Sequence, residues 1–306
     1  MSKRKIIIDT DPGIDDAVAI AAAIHSDALS VELITTVAGN VGLNAVTDNV
    51  LKLLKFWDKK IPVAKGAEKP LLKKLDDASN VHGKSGMEGY EFPDGDYNNL
   101  LQIPATQAIY DVLVKSDDKV TIVAIGPLTN IALLLSVYPD AKNHIDEIVM
   151  MGGSATRGNK GVMAEFNVYT DPEAAKIVFD SGIPIVMAGL DVGWKALVYK
   201  EDSQKIKQLN KTGDMIYALF QKYRGGSLKT GLKMYDACAI AYLLKPEMYE
   251  IVETTVDIET KGELTSGTTV VDLKGYLKRE HNAKVCLDID GKMFREWLTH
   301  AIKACS

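Results

Sequence analysis

The stretch K-I-I-I-D-T-D-P-G-I-D-D-A, residues 5–17, contains the first strand, the first turn and the start of the first helix. Its apolar, β-branched opening at Lys5–Ile8 predicts a buried strand. Pro12 and Gly13 then impose a tight turn, after which a helical pattern begins. A strand that passes through a short turn into a helix is typical of the start of a βαβ unit.

The chain repeats this alternation of short strands and helices. Further apolar, β-branched runs occur at Val31–Val37, Ile61–Ala64, Val120–Ile125, Ile148–Met151 and Ile183–Ala188. The alternation predicts an α/β fold with a doubly wound, mainly parallel, Rossmann-like sheet. Because no linker, repeat or low-complexity tract divides the sequence, we expect a single domain over residues 1–306. The ligand site of such a sheet lies beyond the carboxyl ends of its strands.

The second half of the chain is less regular. From about Lys200 to Leu244 the pattern is helical, and three later runs indicate added strands before a final helix through Trp297. These runs are ETTVDIET, TSGTTVVD and NAKVCLDI. The polar segment from Gly66 to Leu100 is long for a connection, which favours a mobile loop near the site.

Composition narrows the classes of function. The net charge is −5 and the Lys and Arg residues are scattered, so the basic surface of a nucleic-acid binder is missing and a small-molecule substrate fits better. Three cysteines without close pairing, together with a start that lacks a signal-like apolar stretch, favour the cytoplasm. The uncharged stretch Val120–Pro139 resembles a membrane span, but Gly126 and Pro127 interrupt it and argue against a membrane protein.

The first turn is unusually acidic, with four carboxylates within eight residues: Asp9, Asp11, Asp15 and Asp16. Two like charges ~4 Å apart cost about 4 kcal/mol at an effective dielectric constant of 20, so such a cluster needs a cation. Oxygen-only ligands indicate calcium or magnesium rather than zinc. Alternatively, Asp15 or Asp16 only complements the positive end of the first helix, but that leaves Asp9 and Asp11 unexplained.

A strand that ends in D-x-D also resembles the magnesium-dependent phosphatases of the haloacid-dehalogenase type. In those enzymes the first Asp is a nucleophile, and a late acidic pair and a separate Lys are needed. Pro12 and the adjacent pair Asp15-Asp16 disagree with that pattern. The phosphatase remains an alternative in a different reaction class.

Motifs along almost the entire chain resemble the inosine-uridine preferring nucleoside hydrolase family, and among its branches most of all the bacterial non-specific ribonucleoside hydrolases. Besides the acidic turn, the matching segments are T-T-V-A-G-N (35–40), V-H-G-K-S-G-M (81–87), G-P-L-T-N-I-A (126–132), M-G-G-S (151–154), A-E-F-N (164–167), D-P-E-A-A (171–175) and T-S-G-T-T-V-V-D (265–272). Several such matches in the same order are highly specific. The resemblance implies calcium-dependent hydrolysis of the N-glycosidic bond of ribonucleosides, releasing ribose and the free base.

The resemblance also implies roles for particular residues. Calcium would be held by Asp11, Asp16, Asp236 and the main-chain carbonyl of Ile125. The ribose would be contacted by Asp15, Asn40, Glu165, Asn167 and Asp236, with Met151 lining the sugar pocket. A water held by the ion would attack the anomeric carbon while Asp11 accepts its proton, through a transition state like an oxocarbenium ion. Relatives also suggest a homodimer or a homotetramer.

Some of these residues also have a plainer interpretation. Without the resemblance, Asn40 after Gly39 would be a turn residue. Glu165 and Asn167 would be solvated loop residues, because loops are generally polar and exposed.

One position departs from the family pattern. Many members have a His before the late calcium-binding Asp, where it assists departure of the base, and here that residue is Tyr235. A phenol is a weaker acid than imidazolium, so His82 becomes the nearest imidazole candidate for a contact with the base. For Tyr223 and Phe220 we favour helix packing over a pocket role. If Tyr235 abolishes turnover, the chain is a nucleoside-binding protein instead of an enzyme.

Overall fold

The computed structural model describes residues 3–305. Twelve strands are found in this part of the chain. They are β1 (Arg4–Thr10), β2 (Leu29–Thr36), β3 (Val63–Lys65), β4 (Val120–Ala124), β5 (Ile145–Met150), β6 (Ile185–Met187), β7 (Leu197–Val198), β8 (Gly226–Ser227), β9 (Gly231–Lys233), β10 (Tyr249–Ile258), β11 (Thr269–Asp272) and β12 (Ala283–Ile289).

Helices separate most of these strands, and many begin directly after a strand and a short turn. They are α1 (Ile14–Ile24), α2 (Leu43–Phe56), α3 (Ser79–His82), α4 (Ala105–Lys115), α5 (Thr129–Val137), α6 (Phe166–Thr170), α7 (Pro172–Phe179), α8 (Leu190–Gly193), α9 (Lys200–Lys207), α10 (Lys211–Phe220), α11 (Ala237–Leu244) and α12 (Gly291–Lys303). Short 3-10 turns lie at Tyr97–Asn99, Pro139–His144 and Pro246–Met248.

Nine strands form the main sheet in the order β11-β10-β12-β6-β5-β4-β1-β2-β3. Neighbours from β12 to β3 pair in parallel, whereas β10 pairs antiparallel with both β11 and β12. The predicted α/β fold, with its mainly parallel sheet and late strands, is therefore confirmed. The late strands complete one edge of the same sheet.

The order in which the chain adds strands to the sheet changes direction at β1. From β1 it proceeds to β2 and β3 on one side, and it later returns to β4 on the other side. The carboxyl ends of β1 and β4 therefore flank the topological switch point, where open α/β sheets bind their ligands. The backbone amide of Ile125, just beyond β4, donates to the carbonyl of Asp9 at 2.8 Å and ties the two ends together.

Helices cover both faces of the sheet because the strands are apolar on both sides. Ile6 and Ile8 of β1 point into one buried cluster, and Ile7 points into the other. Both clusters are built from aliphatic residues of the strands and of the helices that pack on them. Because both faces of these strands are buried, their sequences are continuous apolar runs.

One part of the second half differs from the sequence interpretation. The region of residues 200–244 is not purely helical, because β8 and β9 pair with β7 in a separate three-stranded sheet. These strands have two or three residues, too few for a period-2 pattern to be recognised. The stretch Val120–Pro139 forms β4, a turn and α5, and no helix within residues 3–305 is long and apolar enough to cross a membrane.

Candidate active site and metal centre

The acidic turn after β1 folds back on itself through Asp16. This side chain accepts hydrogen bonds from the hydroxyl of Thr10 at 2.7 Å and from the backbone amide of Gly13 at 2.8 Å. The second contact satisfies an amide at the start of α1, as acidic residues in a first helical turn often do. Asp16 therefore has a capping role, which accounts for one carboxylate of the cluster and leaves the others to be explained.

Three buried carboxylates converge beyond the switch point. Oxygens of Asp15, Asp16 and Asp236 all lie within 4.8 Å of one another. Asp236 directly precedes α11, a helix that packs against α1, so a residue 220 positions further along the chain reaches the first turn. The predicted ligands Asp16 and Asp236 are brought together, and Asp15, which the sequence interpretation gave to the ribose, joins them.

Asp11 lies beside this group, held by the neighbouring loop. Its Oδ2 accepts from the backbone amide of Asn40 at 2.7 Å, whereas its Oδ1 is buried and has no hydrogen-bond partner among residues 3–305. A Cβ atom on Gly39 would collide with Oδ2, and one on Gly126 would lie 2.8 Å from Oδ1. Asp11 thus occupies a slot that only glycines leave open, with one oxygen available for a cation, a water or a proton.

Burial dominates the electrostatics of these carboxylates. It raises the pKa of Asp15 to about 7, and the negative charge of Asp16 adds to the effect. Burial likewise raises the pKa values of Asp11 and Asp236 well above the usual range, with further contributions from their acidic neighbours. Without a counter-ion the cluster holds protons. A divalent cation would replace them, and the oxygen-only donors together with the unpartnered Oδ1 fit calcium or magnesium.

The carbonyl of Ile125 has the position expected of a strand-end ligand. Ile125 is buried and lines the same cavity as Asp15 and Asp236. Its carbonyl accepts one hydrogen bond, from the amide of Asn167 at 3.1 Å, and a carbonyl oxygen has two lone pairs. This geometry supports the predicted role.

The expected sugar side of the cavity consists of buried polar groups, which excludes the solvated-loop interpretation of Glu165 and Asn167. The Glu165 carboxylate accepts from the amides of Gly153, Asn167 and Val168 at 2.9–3.1 Å. Burial nevertheless raises its pKa to about 7. The Asn167 amide also donates to the carbonyl of Met151 at 3.0 Å, and Met151 lines the cavity as predicted.

Asn40 is not the simple turn residue that its Gly-Asn context favours. Its side-chain amide donates to the carbonyl of Asp11 at 3.1 Å and to Oδ2 of Asp16 at 3.2 Å. Both amide hydrogens are therefore committed to the acidic turn, and its carbonyl oxygen remains available to accept. Asn40 also lines the cavity.

Three further side chains line the cavity, His82, Tyr223 and Tyr235. Nδ1 of His82 accepts the backbone amide of Ile14 at 3.2 Å and lies 4.0 Å from Asp15 Oδ1. Burial lowers the pKa of His82 to about 4, so the ring is neutral and carries its proton on Nε2. The ring packs so closely on the turn that a Cβ atom at Gly13 would collide with it.

The packing interpretation is right for Phe220 and incomplete for Tyr223. Phe220 is in the core and does not line the cavity. Tyr223 packs against the same core, and its ring also lies 5.5 Å from that of His82 at the cavity wall. Burial raises its pKa well above the usual value, and Asp15 adds to the effect, so the phenol stays protonated.

Sequence reasoning missed the residues at the mouth of the cavity. Lys160 Nζ pairs with Asp76 at 2.8 Å, which joins two loops, and Arg224 donates to the carbonyl of Asn80 at 2.8 Å. Asn159 lines the cavity of about 280 Å³ together with Lys160 and Arg224.

A buried carboxylate cluster that could hold a metal ion, next to a polar cavity at the switch point of a mainly parallel sheet, is the arrangement expected of a metal-dependent α/β enzyme. The family model for "Inosine-uridine preferring nucleoside hydrolase" matches residues 6–296. The chain therefore belongs to the inosine-uridine preferring nucleoside hydrolase family, which confirms the resemblance inferred from its motifs. It is a nucleosidase, an enzyme that cleaves N-glycosidic bonds.

Individual relatives agree with this membership. The non-specific ribonucleoside hydrolase RihC of Shigella boydii serotype 4 is 52% identical over 301 residues, which cover 98% of this chain and 99% of the relative. RihC of Salmonella enteritidis PT4 is 53% identical over 293 residues, covering 96% and 95%. Among solved structures, the plant nucleoside hydrolase PpNRh1 is similar with a TM-score of 0.91 at 28% identity, covering 99% of both chains. These matches favour the nucleosidase over the phosphatase alternative.

Proposed function

We propose that this enzyme hydrolyses the N-glycosidic bond of ribonucleosides with purine or pyrimidine bases, and that it requires calcium. The observation that carries the proposal is the convergence of buried carboxylates on a cavity that His82 and two phenols also line. Similarity to the RihC proteins, which are named non-specific ribonucleoside hydrolases, supports a broad range of bases.

In the proposed metal site, Asp11, Asp16, Asp236 and the carbonyl of Ile125 hold the ion. When bound, the ion supplies positive charge that orients water and the ribose hydroxyls and makes loss of a proton from that water easier. The oxygen-only donor set excludes neither calcium nor magnesium, and the larger, flexible coordination shell of calcium suits donors from distant segments.

The side chains of the protein then supply the base and the contacts to the sugar. Asp11, through its unpartnered Oδ1, accepts the proton of the attacking water. Asp15, Asn40, Glu165 and Asn167 hold the ribose hydroxyls, and the carboxylates stabilise positive charge that develops on the sugar. A site built on paired hydroxyls rejects deoxyribose, because its own buried groups would stay unsatisfied. Attack by water without a protein nucleophile inverts the anomeric centre.

The departing base needs hydrogen-bond donors, and two are available. Burial and the charge of Asp15 raise the pKa of Tyr235, so its phenol keeps its proton and acts as a donor rather than as an acid. Neutral His82 can donate from Nε2 while Nδ1 is occupied by Ile14. We assign both residues to stabilisation of the base by hydrogen bonds. His82 is therefore not a cationic general acid in this resting geometry.

The first experiment is ribose release from inosine, uridine, cytidine and adenosine, with and without a chelator. We expect release from several nucleosides, loss of activity after chelation and recovery on addition of calcium. Recovery with magnesium but not calcium would refute the choice of ion. Thermal stabilisation by nucleosides without any ribose release would instead favour the binding-protein alternative.

A second experiment tests the departure from the family pattern at Tyr235. If leaving-group activation limits turnover, Tyr235→His should raise kcat several-fold, because an imidazole can protonate the base. An unchanged or lower rate on every nucleoside would contradict this. Tyr242→His, a change at a tyrosine of α11 that does not line the cavity, is the matched control.

Two further proposals rest on the family resemblance and on the sequence. We propose a homodimer or a homotetramer, to be measured by light scattering, and residence in the cytoplasm, as the three free buried cysteines favour. A monomeric mass at working concentrations would contradict the first proposal.

A further inference from the structure

A buried amide in α2 ties the loop that carries His82 to the acidic turn. Asn49 is buried, and its Nδ2 donates both to the carbonyl of Pro12 at 3.0 Å and to the carbonyl of Ser85 at 2.7 Å. A primary amide has only two hydrogens, and both are used here. The Asn49 side chain is therefore a bridge between two segments that are more than 70 residues apart.

The loop meets the turn at two points. At Gly86 the backbone has φ +85°, and a Cβ atom would lie 2.9 Å both from Asn49 Nδ2 and from the carbonyl of Pro12. Four residues earlier, His82 accepts the amide of Ile14, with its ring packed on the turn. At the first contact the Asn49 side chain lies between Gly86 and Pro12. The second contact fixes the position of the imidazole.

Other contacts hold the start of this loop segment: Ala78 N donates to the carbonyl of Asn40 at 3.0 Å, and Arg224 donates to the carbonyl of Asn80 at 2.8 Å. Between residues 66 and 100 its regular structure consists of the single turn α3 and one 3-10 turn, and α3 has no side-chain cap. These two bonds place the start of α3, whereas Asn49 is the side chain that ties the segment after His82, at Ser85, to the acidic turn. The position of His82 relative to Asp15 therefore depends on contacts of the kind that Asn49 makes.

We infer that Asn49 is a positioning residue for the reaction: it does not line the cavity, but it holds the loop of His82 at the distance from the acidic turn at which the imidazole can donate to the base. The inference rests on the proposed role of His82. The carboxylates of the acidic turn keep their own bonds to Thr10, Gly13 and Asn40, so Asn49 should affect the base half of the site more than the ribose half.

The test compares Asn49→Ala with the matched control Asn44→Ala. Asn44 belongs to the same helix, and its Oδ1 accepts from Lys65 Nζ at 3.0 Å in an exposed contact. We expect N49A to lower kcat/KM for nucleosides about tenfold, as loss of a supporting shell typically does, with inhibition by free ribose unchanged within about twofold. N44A should change neither quantity.

Epistasis with His82 separates positioning from general loss of structure. In an H82A background, N49A should cause almost no further loss of kcat/KM, because the residue that it positions is gone. Asn49→Leu, which keeps the side-chain volume without donors, replaces N49A if the latter is not recovered folded. All assays are run well below the measured Tm of each variant.

Several outcomes would overturn the inference. One is an unchanged kcat/KM in N49A. Another is that the losses of kcat/KM caused by N49A and H82A multiply in the double variant. A third is weakened inhibition by ribose, which would mean that Asn49 acts through Asp11 instead. If wild-type protein releases ribose but H82A is as active as wild type, the role of His82 is wrong and the inference fails with it. If wild-type protein releases no ribose, the proposed function itself has failed.

Discussion

The acidic residues of the first turn and Asp257 are placed in opposite surroundings. The carboxylates of the first turn are buried beside one another and, within residues 3–305, have no cationic side chain among their hydrogen-bond partners. Asp257, on β10, lies between two cations: Lys176 Nζ is 3.0 Å from one oxygen and Arg279 Nη1 is 2.7 Å from the other. The carboxylates of the first turn lack the cationic partners that Asp257 has.

The pKa values record this difference. In the turn, burial raises the pKa of Asp15 to about 7. At Asp257, burial acts in the same direction, but the hydrogen bonds from Lys176 and Arg279 outweigh it and hold the pKa below its usual value. A carboxylate that serves the fold is compensated within the chain. The turn is left uncompensated, which is the expected state of a site whose cation comes from outside.

The largest effect that the comparison predicts is on catalysis. Asp11→Asn should lower kcat by about 10³-fold, because an amide cannot accept the proton of the attacking water. Asp257→Asn should leave kcat and KM unchanged. Initial rates of ribose release at saturating calcium measure both. A D11N enzyme within tenfold of wild type would show that another group takes the proton.

The next effect concerns the dependence of stability on pH. In chelator-treated protein, the raised pKa values of Asp15 and Glu165 mean that the folded state binds more protons than the unfolded state between about pH 4 and 7. The free energy of unfolding should therefore fall as pH rises through this window, by about 1.4 kcal/mol per pH unit for each carboxyl that stays protonated only in the folded state. Excess calcium should flatten the dependence and raise Tm at pH 7.

The matched variants for this experiment are Asp236→Asn and Asp257→Asn. The first removes a raised pKa and should reduce the slope of Tm against pH in the metal-free protein. The second should leave the slope in that window as in wild type. A slope of the opposite sign, with stability rising from pH 5 to 7, would contradict our account of the turn.

The same contrast explains what the sequence could reveal. The run from Lys5 to Asp16 predicts strand, turn, helix and metal site together, because local sequence determines each of them. Asp236 is invisible to such reasoning without a family pattern, since only the packing of α11 on α1 brings it to the turn. Asn49 gave no signal at all, because an amide in an amphipathic helix does not reveal the distant carbonyls that it will meet.

The short strands of the small sheet were missed for a related reason. β7, β8 and β9 contain two or three residues each, and their pairing depends on tertiary contacts rather than on a repeating pattern. Conversely, the interpretation of Glu165 and Asn167 as solvated loop residues failed because composition does not report burial. These residues follow a Gly-rich segment and are nonetheless enclosed, as the N-cap and first turn of α6.

The smallest expected effect is the loss of stability on substitution of Asp257. Asp257→Asn removes two ion pairs at a partly exposed site and should lower the free energy of unfolding by at most about 1 kcal/mol. Because the pKa of Asp257 is depressed, this contribution is present above its unfolded pKa near 4 and disappears as pH falls through the lower folded value. Urea unfolding at pH 7 in low and high salt measures it, and salt should diminish the difference from wild type. A loss of several kcal/mol that is insensitive to salt would mean that Asp257 is as constrained by burial as the carboxylates of the first turn, and the contrast between the two regions would not hold.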